Sequence, residues 1–197
     1  MEAELISFHE DFVHLNSARN LVLRAKTGCD YLPEGEIRSH PSGDGRKWRR
    51  IFPLGRQAVS DCDSFWFVGF FGQKLENVDE KWQKALWEID DRLLTSLAQY
   101  RILWYSSCEV TPGGDWFNFV LMKEENGIDQ WRHADGHDCA VRDISPHVYK
   151  RVRIHAGRLI NGINGQAFHV KRTTFVEYAN MKMVNREVKL WNECFNV

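Results

Sequence analysis

The sequence predicts an α+β fold with an antiparallel sheet, and three observations lead there. Apolar, aromatic-rich runs recur at residues 65–71, 102–110, 116–123 and 167–178. Stretches with helical three- and four-residue spacing stand between them. The turn Thr111-Pro-Gly-Gly-Asp115 joins the middle two runs, which makes them an antiparallel hairpin.

In chain order, residues 2 to about 26 are expected to be an amphipathic helix. Leu5, Phe8, Phe12 and Leu15 share one helical face, and Leu21, Val22 and Leu23 extend the apolar run. Thr27-Gly28 is its stop. From Cys29 to Cys62 periodicity fails, and Pro33, Gly35, Pro41, Gly43, Gly45, Pro53 and Gly55 mark an irregular segment. Loops of this length are uncommon in a compact domain and often bind or cover something. This one carries Arg46-Lys47-Trp48-Arg49-Arg50, a clamp for oxyanions or, as the plainer reading, a solvated loop anchored by its Trp.

The run FWFVGFF from Phe65 to Phe71 is apolar at both alternating positions, so both sheet faces need cover. Asn77 or Asp79 caps a helix to Tyr100 whose core spacing runs through Trp82, Leu86, Ile89 or Asp90, Leu93, Leu94 and Leu97. The two hairpin strands follow. Ile128 to about Asp143 is expected to be helical, although Gly136 costs roughly 1 kcal/mol against Ala there. Ser145-Pro146 is a fresh start, since Ser caps and Pro suits the first turn. His147 to Ile160 is either a short helix or an irregular run, residues 167–178 form the last strand, and 179–197 a weakly periodic tail. Strand, helix, strand, strand, helix, strand is the order of a ferredoxin-like βαββαβ core. The expected division is an extension over 1–64, this core over 65–178 and the tail.

The chain has 197 residues and a net charge of -1, so no overall field attracts nucleic acid or anionic lipid. No run approaches the roughly 20 apolar residues of a membrane span. The acidic, interrupted N-terminus does not resemble a secretory signal. Five scattered cysteines favour reduced thiols over a disulfide framework, and hence the cytoplasm. The sequence contains no G-x-G-x-x-G, P-loop or G-x-S-x-G motif, so nucleotide cofactors and acyl-enzyme chemistry are disfavoured.

Groups able to move protons concentrate between Ile128 and Ile160. Four of the eight histidines, His133, His137, His147 and His155, sit there with Trp131, Tyr149, Arg151 and Arg153. His133 and His137 are four apart and could share a helical face as a metal pair with Asp129 or Glu124, but this is not H-E-x-x-H and no dense ligand cluster follows. The expectation is no metal and no cofactor. His137 could instead exchange a proton. If the run around Arg153 and His155 is extended, those two share a face opposite Val152 and Ile154, and an Arg beside a His could hold a carboxylate or polarise a carbonyl. A surface charge row is the plainer reading. Tyr105 and Asn118 break apolar strands and could orient a ligand, or bond across the hairpin. Trp66, Trp104, Trp116 and Trp131 could line a cavity, although core or interface packing is the commoner use.

The element order, Trp131 soon after the third strand, His137 after it, and the run SPHVYKRVRIHAGRL together resemble the dimeric α+β barrel superfamily of small monooxygenases, lyases and cyclases. The resemblance covers residues 65–178. It implies an apolar cavity between sheet and helices, and a homodimer in which a second sheet covers the second face. The expected function is a cofactor-independent lyase, isomerase or cyclase, including a pericyclic Diels–Alder type, acting on an apolar polyketide- or terpenoid-like molecule of secondary metabolism. His137 or His155 would move the proton and Arg153 would be its electrostatic partner. Tyr105, Asn118 and Tyr149 would position the substrate, with Trp66, Trp104, Trp131 and His133 lining the site. The alternatives are a cofactor-free monooxygenase and a non-catalytic ligand carrier or stress protein.

Overall fold

The computed structural model describes residues 2–28, 33–41, 43–133, 136–165 and 167–196. Eight strands form one sheet: β1 (Arg38–Pro41), β2 (Lys47–Ile51), β3 (Phe65–Lys74), β4 (Ile102–Glu109), β5 (Trp116–Met122), β6 (Tyr149–Leu159), β7 (Ala167–Ala179) and β8 (Lys182–Asn196). Their spatial order is β1-β2-β4-β5-β3-β6-β7-β8. Every neighbouring pair is antiparallel. The helices are α1 (Glu2–Lys26), α2 (Gly55–Ser60), α3 (Glu80–Ser96) and α4 (Asn126–Arg132), with the short turns α5 (His137–Cys139) and α6 (Ser145–Val148).

The sheet has a core on each face because its central strands are apolar in both directions. Phe65, Phe67, Phe71, Phe117, Phe119 and Phe168 face α1, which buries Phe12, Leu15, Ala18, Val22 and Ala25 against them. Val68, Tyr105, Val120, Val152 and Ala156 face the other way, toward Ile89, Leu93 and Leu94 of α3, Trp131 of α4, and Val148 of α6. Two glycines of β3 make room for this. A Cβ at Gly69 would stand 2.5 Å from Leu15 Cδ2, and one at Gly72 would meet the Tyr149 ring. Asp79 caps α3, its carboxylate accepting from the Lys81 amide at 3.0 Å.

Several expectations need correcting. The face expected to receive a second sheet is covered by α1, whose apolar stripe fits the aromatic surface of β3, β5 and β7. Leu5 and Phe8, placed on the same stripe, have side chains outside the described residues. The stretch from Ile128 to Asp143 is not one helix: α4 ends at Arg132, and Gly136 takes φ +97°, a left-handed backbone that breaks the helical path. Residues 149–159, read as helix or irregular, are strand β6, and 167–179 lies one strand further out. The tail is strand β8. Its residues 182–188 are exposed, so no burial period marks them. The irregular segment supplies β1, β2 and α2. Cys62, Cys108 and Cys139 are free thiols, whereas Cys29 and the Cys194 side chain lie outside the described residues. Among the described residues no helix is long and apolar enough to cross a membrane.

Candidate functional site

The sheet separates the expected site residues into two groups, one on each face.

On the α1 face, β6 is extended, so Arg153 and His155 do share a side, opposite Val152. They meet a residue the sequence reading overlooked, Asp11. Arg153 donates from Nε and Nη2 to the two Asp11 oxygens at 2.6 Å each. His155 Nε2 lies 2.9 Å from Asp11 Oδ2, and Nδ1 lies 2.9 Å from Thr173 Oγ1. The Trp191 indole donates to that same hydroxyl at 3.0 Å. The Nε2-protonated imidazole tautomer closes this chain: indole to hydroxyl, hydroxyl to Nδ1, Nε2–H to carboxylate. Burial works against the Arg153 charge, but the Asp11 hydrogen bonds and field outweigh it and raise the guanidinium pKa. Exposure is 1% at Asp11 and 0% at His155 and Thr173, and the Phe12 and Phe71 rings flank the imidazole. A hydroxyl, imidazole and carboxylate in line have the connectivity of a nucleophilic triad. Here α1 lies over them, and the set binds helix to sheet.

Tyr105, Asn118, Trp131, His137 and Tyr149 lie on the opposite side of the sheet. The Tyr105 hydroxyl donates to Asp90 Oδ1 at 2.7 Å, and Arg49 Nη1 donates to Asp90 Oδ2 at 2.7 Å. Arg49 also lies 2.8 Å from Asp91 and stacks 4.0 Å from the Trp87 ring centre, while Trp87 stands edge-on to Trp116 at 5.1 Å. Burial raises the Asp90 carboxyl pKa against the opposing pull of Tyr105 and Arg49. Burial, reinforced by the Asp90 charge, holds Tyr105 well above the ordinary phenol range. Tyr105 is therefore a protonated donor at neutral pH.

Trp131 packs edge-on to Tyr105 at 6.3 Å, and His137 edge-on to Trp131 at 5.4 Å. Asn118 pairs across the hairpin with Ser107, two residues along the Tyr105 face. Among the described residues, Asn118 Oδ1, Ser107 Oγ, Trp131 Nε1 and His137 Nδ1 on this face are buried without a hydrogen-bond partner, as are Arg158 Nε on β6 and, on α1, Asn16 Oδ1 and Arg19 Nε. Burial also lowers the His137 pKa, favouring neutral imidazole. Tyr149 is fully covered over Gly72 and Phe70, a packing position.

The remaining candidates stand apart. Trp104 is in the α1-side core, edge-on to Phe52 at 4.6 Å, its indole donating to Ser106 at 3.0 Å. Trp66 lies beneath Lys171 and Arg158 at 4.3 and 5.6 Å and lines a cleft of about 50 Å³. His133 is exposed at the C-terminal end of α4 and His137 opens the separate turn α5, so the two share no helical face. A larger cleft of about 240 Å³ lies between Tyr100, Arg101, Met122, Glu124 and Gln130, lined by none of the expected site residues. Of the basic cluster, Arg49 turns inward to the carboxylates and Arg50 stacks on Trp48 at 4.2 Å.

Arg49, Asp90, Asp11 and Thr173 carry much of this polar chemistry, and two of them left a sequence signal. Asp90 falls on the apolar spacing of its helix, and Asp11 precedes Leu15, Ala18, Val22 and Ala25 on the buried stripe of α1. A carboxylate at an inward helical position needs a partner, and that partner marks a polar cluster.

Fold and site define a mixed α/β protein whose eight-stranded antiparallel sheet carries a separate polar cluster on each face. Compared with protein-family models, curated proteins and solved structures, the chain matches none.

Proposed function

We propose that the chain is a cofactor-independent lyase, isomerase or cyclase acting on an apolar, polycyclic or polyketide-like small molecule, with its site on the α3-covered face. The observation that carries this reading is the group of unpartnered buried polar atoms on Asn118, Trp131 and His137 beside the Tyr105–Asp90–Arg49 cluster. Buried polar groups are ordinarily satisfied, so orphans gathered on one aromatic-lined face are what a ligand's polar atoms would engage. The strand order β4-β5-β3-β6, with α3 and then α4–α6 as the connections, supports a ferredoxin-like core at the centre of the larger sheet.

Tyr105 and Asp90 supply the proton path. As the Tyr105 oxygen takes a proton from the substrate, its own phenolic proton passes to Asp90 Oδ1; the reverse step returns a proton to another substrate atom. The net result is an isomerised or rearranged product with the protein unchanged. Arg49 keeps Asp90 able to ionise, Asn118 Oδ1 accepts from a ligand hydroxyl, and neutral His137 exchanges a hydrogen bond. This moves the proton-transfer role from His155 and Arg153, which are engaged with Asp11 and Thr173, to Tyr105.

A non-catalytic carrier is the second reading, favoured because both Asp90 oxygens are already engaged. Native mass spectrometry after incubation with a library of polycyclic and polyketide-type compounds, followed by chromatography of the released compound against its isomers, separates them. A bound compound that changes mass or isomer with the wild type, and not with Tyr105→Phe, supports the enzyme. A compound retained unchanged supports the carrier, and conversion that Tyr105→Phe leaves intact removes Tyr105 from the mechanism.

A further inference from the structure

With α1 on one sheet face and α3–α6 on the other, the open flank of the molecule is its edge. One edge strand is β8, paired on a single side with β7. Exposed large hydrophobics gather there. Met181 is 67% exposed, Met183 45%, Val184 59%, Val188 47% and Leu190 80%. The strand is entered by a tight turn in which Asn180 and Met181 both take positive φ, of 50° and 58°. That is the backbone of a two-residue hairpin, which lets β7 and β8 run side by side for their whole length. A long, proline-free edge with apolar side chains is a template for another strand.

The charge pattern on β8 selects its partner. Cross-strand neighbours of an antiparallel pair point to the same face, and like charges directly opposed are destabilising. If two β8 strands pair about a two-fold axis at Arg186, Glu187 or Lys189, that residue faces its own copy, charge against like charge. Centred on Val188, the apolar side chain meets its own copy. Glu187 then lies opposite Lys189 in both directions, and the stem of Arg186 lies along Leu190. The segment is self-complementary in that register. The Glu187 and Lys189 charges, 3.9 Å apart within one chain, already share its face of the strand.

We infer that β8 is an interface for a second copy of this chain, through antiparallel pairing centred on Val188 that joins two sheets edge to edge. This is isologous, so it closes at a dimer. It differs from the sheet-face dimer expected from the sequence, and it does not depend on the Tyr105 site.

The test is the mass of the full chain by sedimentation equilibrium over micromolar to several hundred micromolar protein, with circular dichroism to verify folding. The wild type is expected to dimerise, and Glu187→Lys or Lys189→Glu alone to weaken the dimer tenfold or more. The Glu187→Lys/Lys189→Glu double variant should restore it, because the charges exchange places across the axis. Under mild oxidation Val188→Cys should give a reducible covalent dimer, since opposed antiparallel residues lie at disulfide distance. Arg186→Cys, opposite Leu190, should not. A monomeric wild type at the highest concentration overturns the inference. So does a dimer that the single charge variants leave unchanged, or a double variant that stays dissociated.

Discussion

Two arginine–aspartate clusters sit back to back on this sheet, and the contrast between them separates a structural device from a working one. In Asp11–Arg153–His155 both carboxylate oxygens and both imidazole nitrogens are engaged, and Asp11 and His155 are buried under α1 while Arg153 is part-exposed. In Asp90–Arg49–Tyr105 the charges are likewise paired, but Asp91 beside them is 63% exposed and Asn118, Trp131 and His137 bring unpartnered atoms to the same face. The residue types are nearly the same. What differs is whether polar capacity is left over for something from outside. The first cluster binds a helix to the sheet; the second is paired just as fully, and the unpartnered atoms belong to its neighbours Asn118, Trp131 and His137.

The sharpest way to break the comparison is Asp11→Ala. It strands a guanidinium and an imidazole between α1 and β6, and removing one partner of a buried ion pair costs about 3–5 kcal/mol. Urea denaturation should show that loss. The triple variant Asp11→Leu/Arg153→Met/His155→Phe should recover most of it, because apolar groups of similar size replace the paired charges without leaving any unpaired. A loss below about 1 kcal/mol for Asp11→Ala would mean that α1 is held by its apolar stripe alone.

How much of this was legible in the sequence follows from which side chains repeat with a period. β3 to β5 and α3 could be read because their burial imposes one, and α1 because Phe12 and Leu15 stand on a helical stripe. β8 could not, because an edge strand exposed along residues 182–188 carries no burial pattern. β6 was obscured by its polar positions: Arg151, Arg153, His155 and Arg158 read as a charged run until Asp11 explains two of them. The α1 partner lies 144 residues from His155, a contact that local spacing cannot express. In the α3-side site, Tyr105 and Asn118 stand out because they break apolar strands, Trp131 as an aromatic able to line a cavity, and His137 as one of the histidines clustered between Ile128 and Ile160. Arg49 belongs to a basic run that the sequence offers either as an oxyanion clamp or as a solvated loop, and its strand-to-helix ion pair emerges only once β2 is placed beside β4.

Tyr105→Phe is the intermediate case. It deletes one hydroxyl that donates to a carboxylate still held by Arg49, so stability should fall by about 1.5 kcal/mol, well under the Asp11→Ala loss. A stability loss matching Asp11→Ala in the same denaturation assay would make the two clusters alike, both structural.

The smallest effect expected is a slope. Burial holds the His137 pKa below the ordinary 6.5. A histidine of this kind contributes stability in full above 6.5, and that contribution is lost as pH falls toward its lowered native value, because the unfolded chain takes up the proton first. His14 is lowered by burial too, so the wild-type curve carries both contributions in the same direction. The difference between wild type and His137→Gln isolates one. Measured by urea midpoint from pH 7.5 to 5, the wild type should lose more stability than the variant, with the gap opening below pH 6.5. A gap that stays constant would place His137 in contact with solvent in the native state. The desolvated face around Trp131 would then lose one of its unpartnered atoms, and the contrast with the α1 cluster would rest on Asn118 and Trp131.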